Sequence, residues 1–196
     1  MDVRPWLEKG DKLILALSTF LKISLWPAYH STDFEVHRNW LAITHSLPLR
    51  DWYFEATSQW TLDYPPFFAY FSWILAQPAP LVDPLIVALH QGLEHSASPA
   101  KYYMRATVMV TELVLGAALL KLSRPEKGTQ AEGLEDSEKR SERRLLAAAI
   151  FLHPGLIIID HIHFQYNGFL FGVLFWSLWA AREVSNGVQS CFITQY

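Results

Sequence analysis

The segment HSTDFEVHRNW, residues 30–40, decides how the rest of the chain is interpreted. It follows without a spacer on the apolar run 13–29, whose length approaches the ~20 residues that a bilayer core requires. Two carboxylates, two histidines and an arginine therefore come where a membrane helix has just reached water. Ionisable groups at that depth are costly and commonly serve a function. The sequence thus predicts a functional site at the end of a first membrane span.

The distribution of charge predicts an all-α, multi-span membrane protein. Segment 121–144 is rich in Lys and Arg and in Asp and Glu, which predicts a solvated, mobile linker on the cytosolic side. Loop 30–99 then lies on the opposite side of the membrane. Within it, residues 67–76 are too few to cross a bilayer and are predicted to form a helix along its surface. The predicted spans are 13–29, 102–120, 145–159 and 168–181, with a break at Pro154.

Composition excludes several classes of function. The net charge of -3 offers no basic patch for nucleic acid. The single cysteine excludes an internal disulfide framework and a cysteine-based zinc site. No Gly-rich phosphate loop, Ser-His-Asp hydrolase motif or internal repeat is present. The sequence therefore predicts neither a cofactor nor a nucleic-acid partner.

The start of the first motif matches a capping box, with Thr32 as N-cap and Glu35 as the residue that bonds back to it. Asp33 then lies in the first helical turn, where the helix dipole favours an anion. His37 follows four residues later on the same face, with Trp40 beyond it. These residues leave two interpretations open: Asp33 only starts an interfacial helix, or it acts as a catalytic base. A positioned base typically contributes about 10²–10⁴-fold to a transfer to a hydroxyl group.

A second motif, DHIHFQYN, occupies residues 160–167. Asp160, His161 and His163 are possible metal ligands, but histidines two residues apart do not share a helix face. The favoured interpretation is that these side chains bind a phosphate or sugar hydroxyls. A hydrogen-bond network at a helix end remains the alternative.

A third motif, WTLDYPPF, occupies residues 60–67. Tyr64 precedes two prolines, so it is expected to be extended and a helix is expected to begin at the prolines. Trp60, Asp63 and Tyr64 are predicted to shape the rim of a cavity, although a rigid interfacial turn explains each residue equally well. Arg105, near the start of a predicted span, is either a phosphate partner or an interface anchor.

The three motifs carry a resemblance to a known family. STDFEVHRNWLAITHSLP at 31–48, WTLDYPPF and DHIHFQYNG at 160–168 resemble, in order, the endoplasmic-reticulum α-1,3-glucosyltransferases that use dolichyl-phosphate glucose. The likeness is closer to members that add the second glucose of the lipid-linked oligosaccharide. It implies a multi-pass membrane protein of the endoplasmic reticulum, similar to the N-terminal part of the C-type glycosyltransferase (GT-C) fold, with its active face in the lumen.

The resemblance also implies partners and roles. The donor would be dolichyl-phosphate glucose and the acceptor the lipid-linked oligosaccharide, without a metal. Asp33 would be the catalytic base. The implied substrate contacts are Glu35, His37, Arg38, Trp40, Trp60, Asp63, Tyr64, Arg105, Asp160, His161, His163, Gln165 and Asn167.

The family's proteins run several hundred residues longer than this chain. Residues 1–184 are expected to be the N-terminal part of a single polytopic domain, and residues 185–196 a divergent tail. We therefore expect a truncated chain of weak or no activity on its own. The alternatives are a non-catalytic membrane product and a small transporter.

Overall fold

The computed structural model describes residues 8–123 and 134–193, the stretches 134–137 and 185–193 by their backbone alone. Within these ranges the structure is all-helical, without a β-strand. Short 3-10 turns occupy Leu49–Asp51, Ala79–Leu81 and Pro84–Val87. The α-helices are α1 (Lys9–Ser24), α2 (Asp33–Ser46), α3 (Pro66–Ala76), α4 (Ser98–Thr111), α5 (Leu113–Leu122), α6 (Leu134–Phe151), α7 (Pro154–His161) and α8 (Asn167–Ile193).

The chain divides into two compact units. The motif unit comprises Thr19–Val110 and Ile158–Gln165. The bundle unit comprises the described residues of Met1–Ser18, Thr111–Ile157 and Tyr166–Tyr196. The first and third motifs lie in the motif unit, together with most of the second motif.

Helix α2 is the centre of the motif unit. Nine of its 14 residues are buried, and its apolar side chains join a core formed with α3, α4 and the 3-10 turns. The helix ends at Ser46, and the residue after it, Leu47, is extended (φ -117°, ψ 152°) because it precedes a proline. The polar first motif is therefore held in the middle of a packed structure, although its mean hydropathy is close to neutral.

The predicted capping box is wrong. Thr32 already has helical dihedrals (φ -59°, ψ -24°), and its side chain caps nothing. The Oγ of Ser31 instead accepts the Asp33 N–H at 3.1 Å. Glu35 cannot reach back to Thr32, because its carboxylate binds Arg38. An ion pair within the same helix, three residues apart, takes the place of the capping contact.

Prolines set two helix starts, as predicted. Pro65 is extended and Pro66 occupies the first position of α3, where a missing N–H costs nothing. Pro154 ends α6 at Phe151 and opens α7. The Nδ1 atom of His153 accepts the Gly155 N–H at 3.1 Å, which satisfies one of the exposed donors of the new helix.

The predicted mobile linker 121–144 is wrong where the structure describes it. Helix α5 continues to Leu122 and α6 begins at Leu134, while residues 124–133 lie outside the described ranges. Within the bundle unit, Arg144 binds Glu8 and Asp11, each at 2.9 Å, and Arg140 also binds Glu8. The composition showed correctly that this segment is highly charged, but it could not show which residues form ion pairs with those charges. Helix α8 likewise continues into the stretch predicted to be a divergent tail.

Two helical stretches in the described residues are long and apolar enough to cross a membrane, Ser98–Leu122 and Glu138–His161. They overlap the predicted spans 102–120 and 145–159. Length and composition alone make them candidates, so the number of spans and their orientation remain predictions.

In the bundle unit, α5 and α8 approach closely at Gly172. A Cβ at this position would lie 2.5 Å from the Leu115 nitrogen and 2.8 Å from the Val114 carbonyl carbon. Trp176, one turn further along α8, donates from Nε1 to the Val114 oxygen at 3.2 Å. The contact is between backbones, so no side-chain movement can make room.

We therefore expect Gly172→Ala to lower the stability of the bundle unit by about 1–3 kcal/mol, as overpacking typically does. Gly116→Ala is the matched control, because its Cβ would meet only the Phe151 ring, at 3.2 Å. Thermal unfolding in detergent should show a lower Tm for Gly172→Ala and a small change for the control. An unchanged Tm in Gly172→Ala would contradict the close packing.

Candidate functional site

The first and second motifs lie against each other in the motif unit. The Ser31 hydroxyl donates to the His163 carbonyl at 2.9 Å. The side-chain amide of Gln165 donates from Nε2 to Oδ2 of Asp33 at 2.8 Å. These residues are 132 positions apart in the chain, so the fold itself brings the two motifs together.

Phe164 gives the second motif its shape. It has a φ of 64°, in the left-handed region that residues other than glycine rarely occupy. Its ring packs edge-on against Phe34, with centroids 4.9 Å apart. The Arg105 guanidinium carbon lies 4.7 Å from the centre of the same ring. These two contacts stabilise the left-handed backbone conformation at Phe164, and this conformation brings Gln165 towards Asp33.

Arg105 is buried beneath this junction, with only 1% of its surface exposed. Its Nη2 donates to the Ala28 and Tyr29 carbonyls at 3.0 and 3.1 Å, and its Nη1 donates to the His161 carbonyl. A buried charge is tolerated only when such partners satisfy it. Arg105 thus joins the end of the first apolar segment to the second motif, which favours a structural role over the predicted contact with a phosphate.

Asp33 is half-buried at the first residue of α2. Among the described residues, the Gln165 amide is the donor to its carboxylate, and it engages Oδ2 only. The negative charge of Asp33 also acts on His37, one turn along the helix. This is the geometry expected of a carboxylate that has one oxygen held and the other available to a proton donor.

His37 is buried against aromatic rings. It packs edge-on against Trp40, with centroids 5.0 Å apart, and lies 5.7 Å from the ring of Phe68. Burial lowers the pKa of His37 from 6.5 to about 4, against the opposing effect of the Asp33 charge. The imidazole is therefore neutral at neutral pH. His37 consequently places no positive charge beside Asp33.

The third motif is tied to the same helix through its backbone. Asn39 donates from Nδ2 to the Trp60 carbonyl at 2.9 Å, and Trp40 donates from Nε1 to the Thr61 carbonyl at 3.0 Å. The rings of Trp40 and Tyr64 lie 4.8 Å apart. Tyr64 is exposed and Trp60 half-buried, so the third motif forms an aromatic surface beside α2.

Glu35 and Arg38 form a buried clamp. Arg38 is 0% exposed and binds both oxygens of Glu35 at 2.8 and 2.7 Å. Its Nη1 donates to the Ile86 and Ala88 carbonyls. Gly92 is required beside it, since a Cβ there would lie 2.8 Å from Nη1 and closer still to two backbone oxygens. The Arg38 guanidinium therefore forms its hydrogen bonds with groups of the fold itself.

The other predicted site residues are spread more widely. Asp160 and His161 are buried on α7, at 1% and 3% exposure. His163 and Asp63 are exposed. Asn167 is the first residue of α8 and belongs to the bundle unit. In the described part of the chain, no group of three or more His, Cys, Asp or Glu residues is placed to hold a metal ion.

Comparison with known proteins identifies the family. The family model described as "ALG6, ALG8 glycosyltransferase family" matches residues 18–194, which is most of the chain. The chain belongs to this family. The resemblance drawn from the three motifs is thereby confirmed at the level of the ALG6, ALG8 family.

Curated relatives carry one name in several kingdoms. A protein of Gibberella zeae is 54% identical over 174 residues (88% of this chain and 32% of the relative). One of Arabidopsis thaliana is 50% identical over 180 residues (90% and 33%). Both are named dolichyl pyrophosphate Glc1Man9GlcNAc2 alpha-1,3-glucosyltransferase. The chain spans about a third of the length of the curated relatives that it matches.

Three residues of this ALG6, ALG8 family site were not assigned a role from sequence. Ser31 immediately precedes the predicted N-cap residue, so its hydroxyl could have been recognised as an alternative hydrogen-bonding group at the start of the helix. Asn39 offered a comparable signal, because it is a polar residue within a buried helix. Phe164 had no signal, because nothing in a single sequence marks a phenylalanine for left-handed backbone geometry.

We expect His37 to make the stability of the motif unit pH-dependent. Because its folded pKa is about 4, the unfolded chain binds the extra proton first as pH falls below 6.5. Stability should therefore be constant above pH 6.5 and decrease by about 3 kcal/mol towards pH 4. Chemical denaturation in detergent at several pH values measures this slope.

The variant His37→Gln removes the titrating group and should flatten that slope. His45→Gln, on the exposed end of the same helix, retains His37 and should keep it. The same slope in wild type and His37→Gln would show that the buried imidazole is not its source.

Proposed function

We propose that this chain carries the catalytic carboxylate of an inverting glucosyltransferase. The reaction is transfer of glucose from dolichyl-phosphate glucose to the glucosylated high-mannose dolichyl-diphosphate oligosaccharide, adding the second α-1,3-linked glucose. One observation carries the proposal: Asp33 lies half-buried where the first two motifs meet, in a chain about half identical to relatives named for α-1,3-glucosyl transfer to Glc1Man9GlcNAc2.

The chemistry requires one base. Asp33 takes the proton from the acceptor hydroxyl as that oxygen attacks the anomeric carbon of glucose. A bond forms between the acceptor oxygen and this carbon while the bond from the carbon to the phosphate oxygen breaks. The phosphate departs as an anion, so no acid is needed to protonate it. A single in-line displacement inverts the β-linked donor to an α-linked product, unlike the two-carboxyl arrangement of retaining glycosidases.

Accessible side chains of the second and third motifs are the proposed substrate contacts. Tyr64 and Trp60 present aromatic surface suited to a sugar ring, and the Trp40 ring packs against that of Tyr64. The exposed imidazole of His163 is suited to the donor phosphate, and exposed Asp63 to sugar hydroxyls. Glu35, His37, Arg38, Arg105, Asp160 and His161 are buried or engaged within the fold, so they support the site from behind.

The proposed setting is the endoplasmic-reticulum membrane, with several spans, the GT-C fold and the site in the lumen. The two candidate spans support a membrane location. Helix α3 adds an uncharged exposed face, with Phe67, Tyr70 and Trp73 all more than 40% exposed. Aromatic rings of this kind collect at membrane interfaces, which supports a position of α3 along the lumenal surface.

Glycosylation mapping tests this orientation. An acceptor sequon inserted at residues 56–59 should be glycosylated in microsomes, and the same sequon inserted at residues 126–129 should not. The reverse pattern, or modification at both positions, would contradict a lumenal site with a cytosolic 121–144 segment. The Lys/Arg content of that segment is the physical reason for the expectation.

We expect Asp33→Asn to reduce glucose transfer by about 10²–10⁴-fold, because the amide cannot accept the proton. The assay uses microsomes from cells that lack the endogenous activity, expressing this chain and supplied with labelled dolichyl-phosphate glucose and the Glc1Man9GlcNAc2 lipid acceptor. Asp51→Asn is the control, since this side chain is 46% exposed beside Arg50 and outside the site.

Transfer by wild type and by Asp51→Asn, but not by Asp33→Asn, supports the proposal. Equal transfer by all three removes Asp33 from its role. No transfer by wild type would contradict catalysis by this chain and favour a non-catalytic membrane product. Solute movement across sealed vesicles without the lipid donor would instead favour a transporter.

A further inference from the structure

The contact between Gln165 and Asp33 is the one side-chain hydrogen bond among the described residues that links the second motif to the carboxylate. Nε2 of Gln165 donates to Oδ2 at 2.8 Å. The donor is neutral, and the acceptor is half-buried at the first turn of α2. A donor of this kind orients the carboxylate without placing a full positive charge beside it.

The backbone that leads into Gln165 is held at several points. Its own N–H donates to the Ile159 carbonyl at 3.3 Å. The preceding residue, Phe164, is fixed in the left-handed region by its packing on Phe34 and Arg105. Before that, the His163 carbonyl accepts the Ser31 hydroxyl. With the backbone fixed at several points, the amide of Gln165 has little freedom to leave the carboxylate.

We propose that Gln165 is a positioning residue for Asp33, which holds Oδ2 so that Oδ1 is the oxygen that takes the acceptor proton. This inference rests on the proposed function, and it gives Gln165 a role different from the predicted substrate contact. A neutral amide suits that role, because it orients the base while leaving it more basic than a lysine or arginine partner would.

Alternative roles for Gln165 predict different kinetics. Loss of a substrate contact raises KM while kcat stays constant, whereas loss of a group that orients the base lowers kcat. Loss of a merely structural contact lowers stability without changing the infrared band of the Asp33 carboxylate. The readouts therefore separate positioning from binding and from packing.

The first experiment needs no activity. The chain, in lipid nanodiscs, is titrated by infrared difference spectroscopy, and the carboxylate band of Asp33 is assigned by its absence in Asp33→Asn. In Gln165→Met, which keeps the length of the side chain but removes the donor, the frequency of this band should shift, because Oδ2 loses its hydrogen bond. Gln165→Asn, whose shorter amide falls short of Oδ2, should shift it in the same direction.

Gln77→Met is the matched control. Its amide donates to the Trp73 carbonyl at 2.9 Å on the exposed side of α3, so its loss removes a comparable bond elsewhere in the motif unit. The band should keep its wild-type frequency. An unchanged band in both Gln165 variants, in protein whose Tm matches that of Gln77→Met, would overturn the inference.

The second experiment uses the transfer assay. Gln165→Met should lower kcat by about tenfold and change KM for the acceptor by less than threefold. An unchanged kcat in Gln165→Met together with loss of transfer in Asp33→Asn would overturn the positioning role alone. Full transfer by Asp33→Asn would overturn the proposed function itself, whatever the Gln165 variants show.

Discussion

The buried guanidinium of Arg105 is the constraint on which the motif unit depends. A cation removed from water must be satisfied by oxygen atoms within the protein, and Arg105 obtains them from the carbonyls of Ala28, Tyr29 and His161. These belong to two segments that are distant in sequence. Once they are joined, the Ser31 hydroxyl reaches the His163 carbonyl and Gln165 reaches Asp33. The candidate site is thus built over a charge that solvent does not reach.

A second buried guanidinium fixes the helix that carries the carboxylate. Arg38 binds Glu35 of the same helix through two bonds and the carbonyls of Ile86 and Ala88 through two more, so α2 cannot rotate without breaking the bonds to these two carbonyls. Asp33 and His37 are set by that rotation. Asp33 has the neutral amide of Gln165 as its hydrogen-bond donor and the neutral imidazole of His37 one turn along the helix, an environment that suits a general base better than an ion pair would.

Several features followed from sequence because their causes are local. Pro66 starts α3, Pro154 divides α6 from α7, and the i, i+4 spacing places His37 beside Asp33. The predicted capping box was wrong because the Glu35 carboxylate binds Arg38, three residues along the same helix, and Arg38 is buried by its further bonds to the Ile86 and Ala88 carbonyls. The prediction of a mobile linker was wrong because composition does not reveal that Arg140 and Arg144 bind Glu8 and Asp11. Phe164 could not be predicted, since long-range packing alone sustains its backbone geometry.

The sequence by itself determined the family, the all-helical class and the carboxylate at the start of α2, because motif order, helical periodicity and proline positions are properties of neighbouring residues. The tertiary structure alone decided which of the polar side chains surround that carboxylate and which are buried elsewhere. Glu35, Arg38 and Arg105 resemble ligand-binding residues in a linear pattern, yet each is engaged within the fold. The physical reason is that a buried charge takes the nearest available partner in space, and spatial neighbours are set by the whole chain.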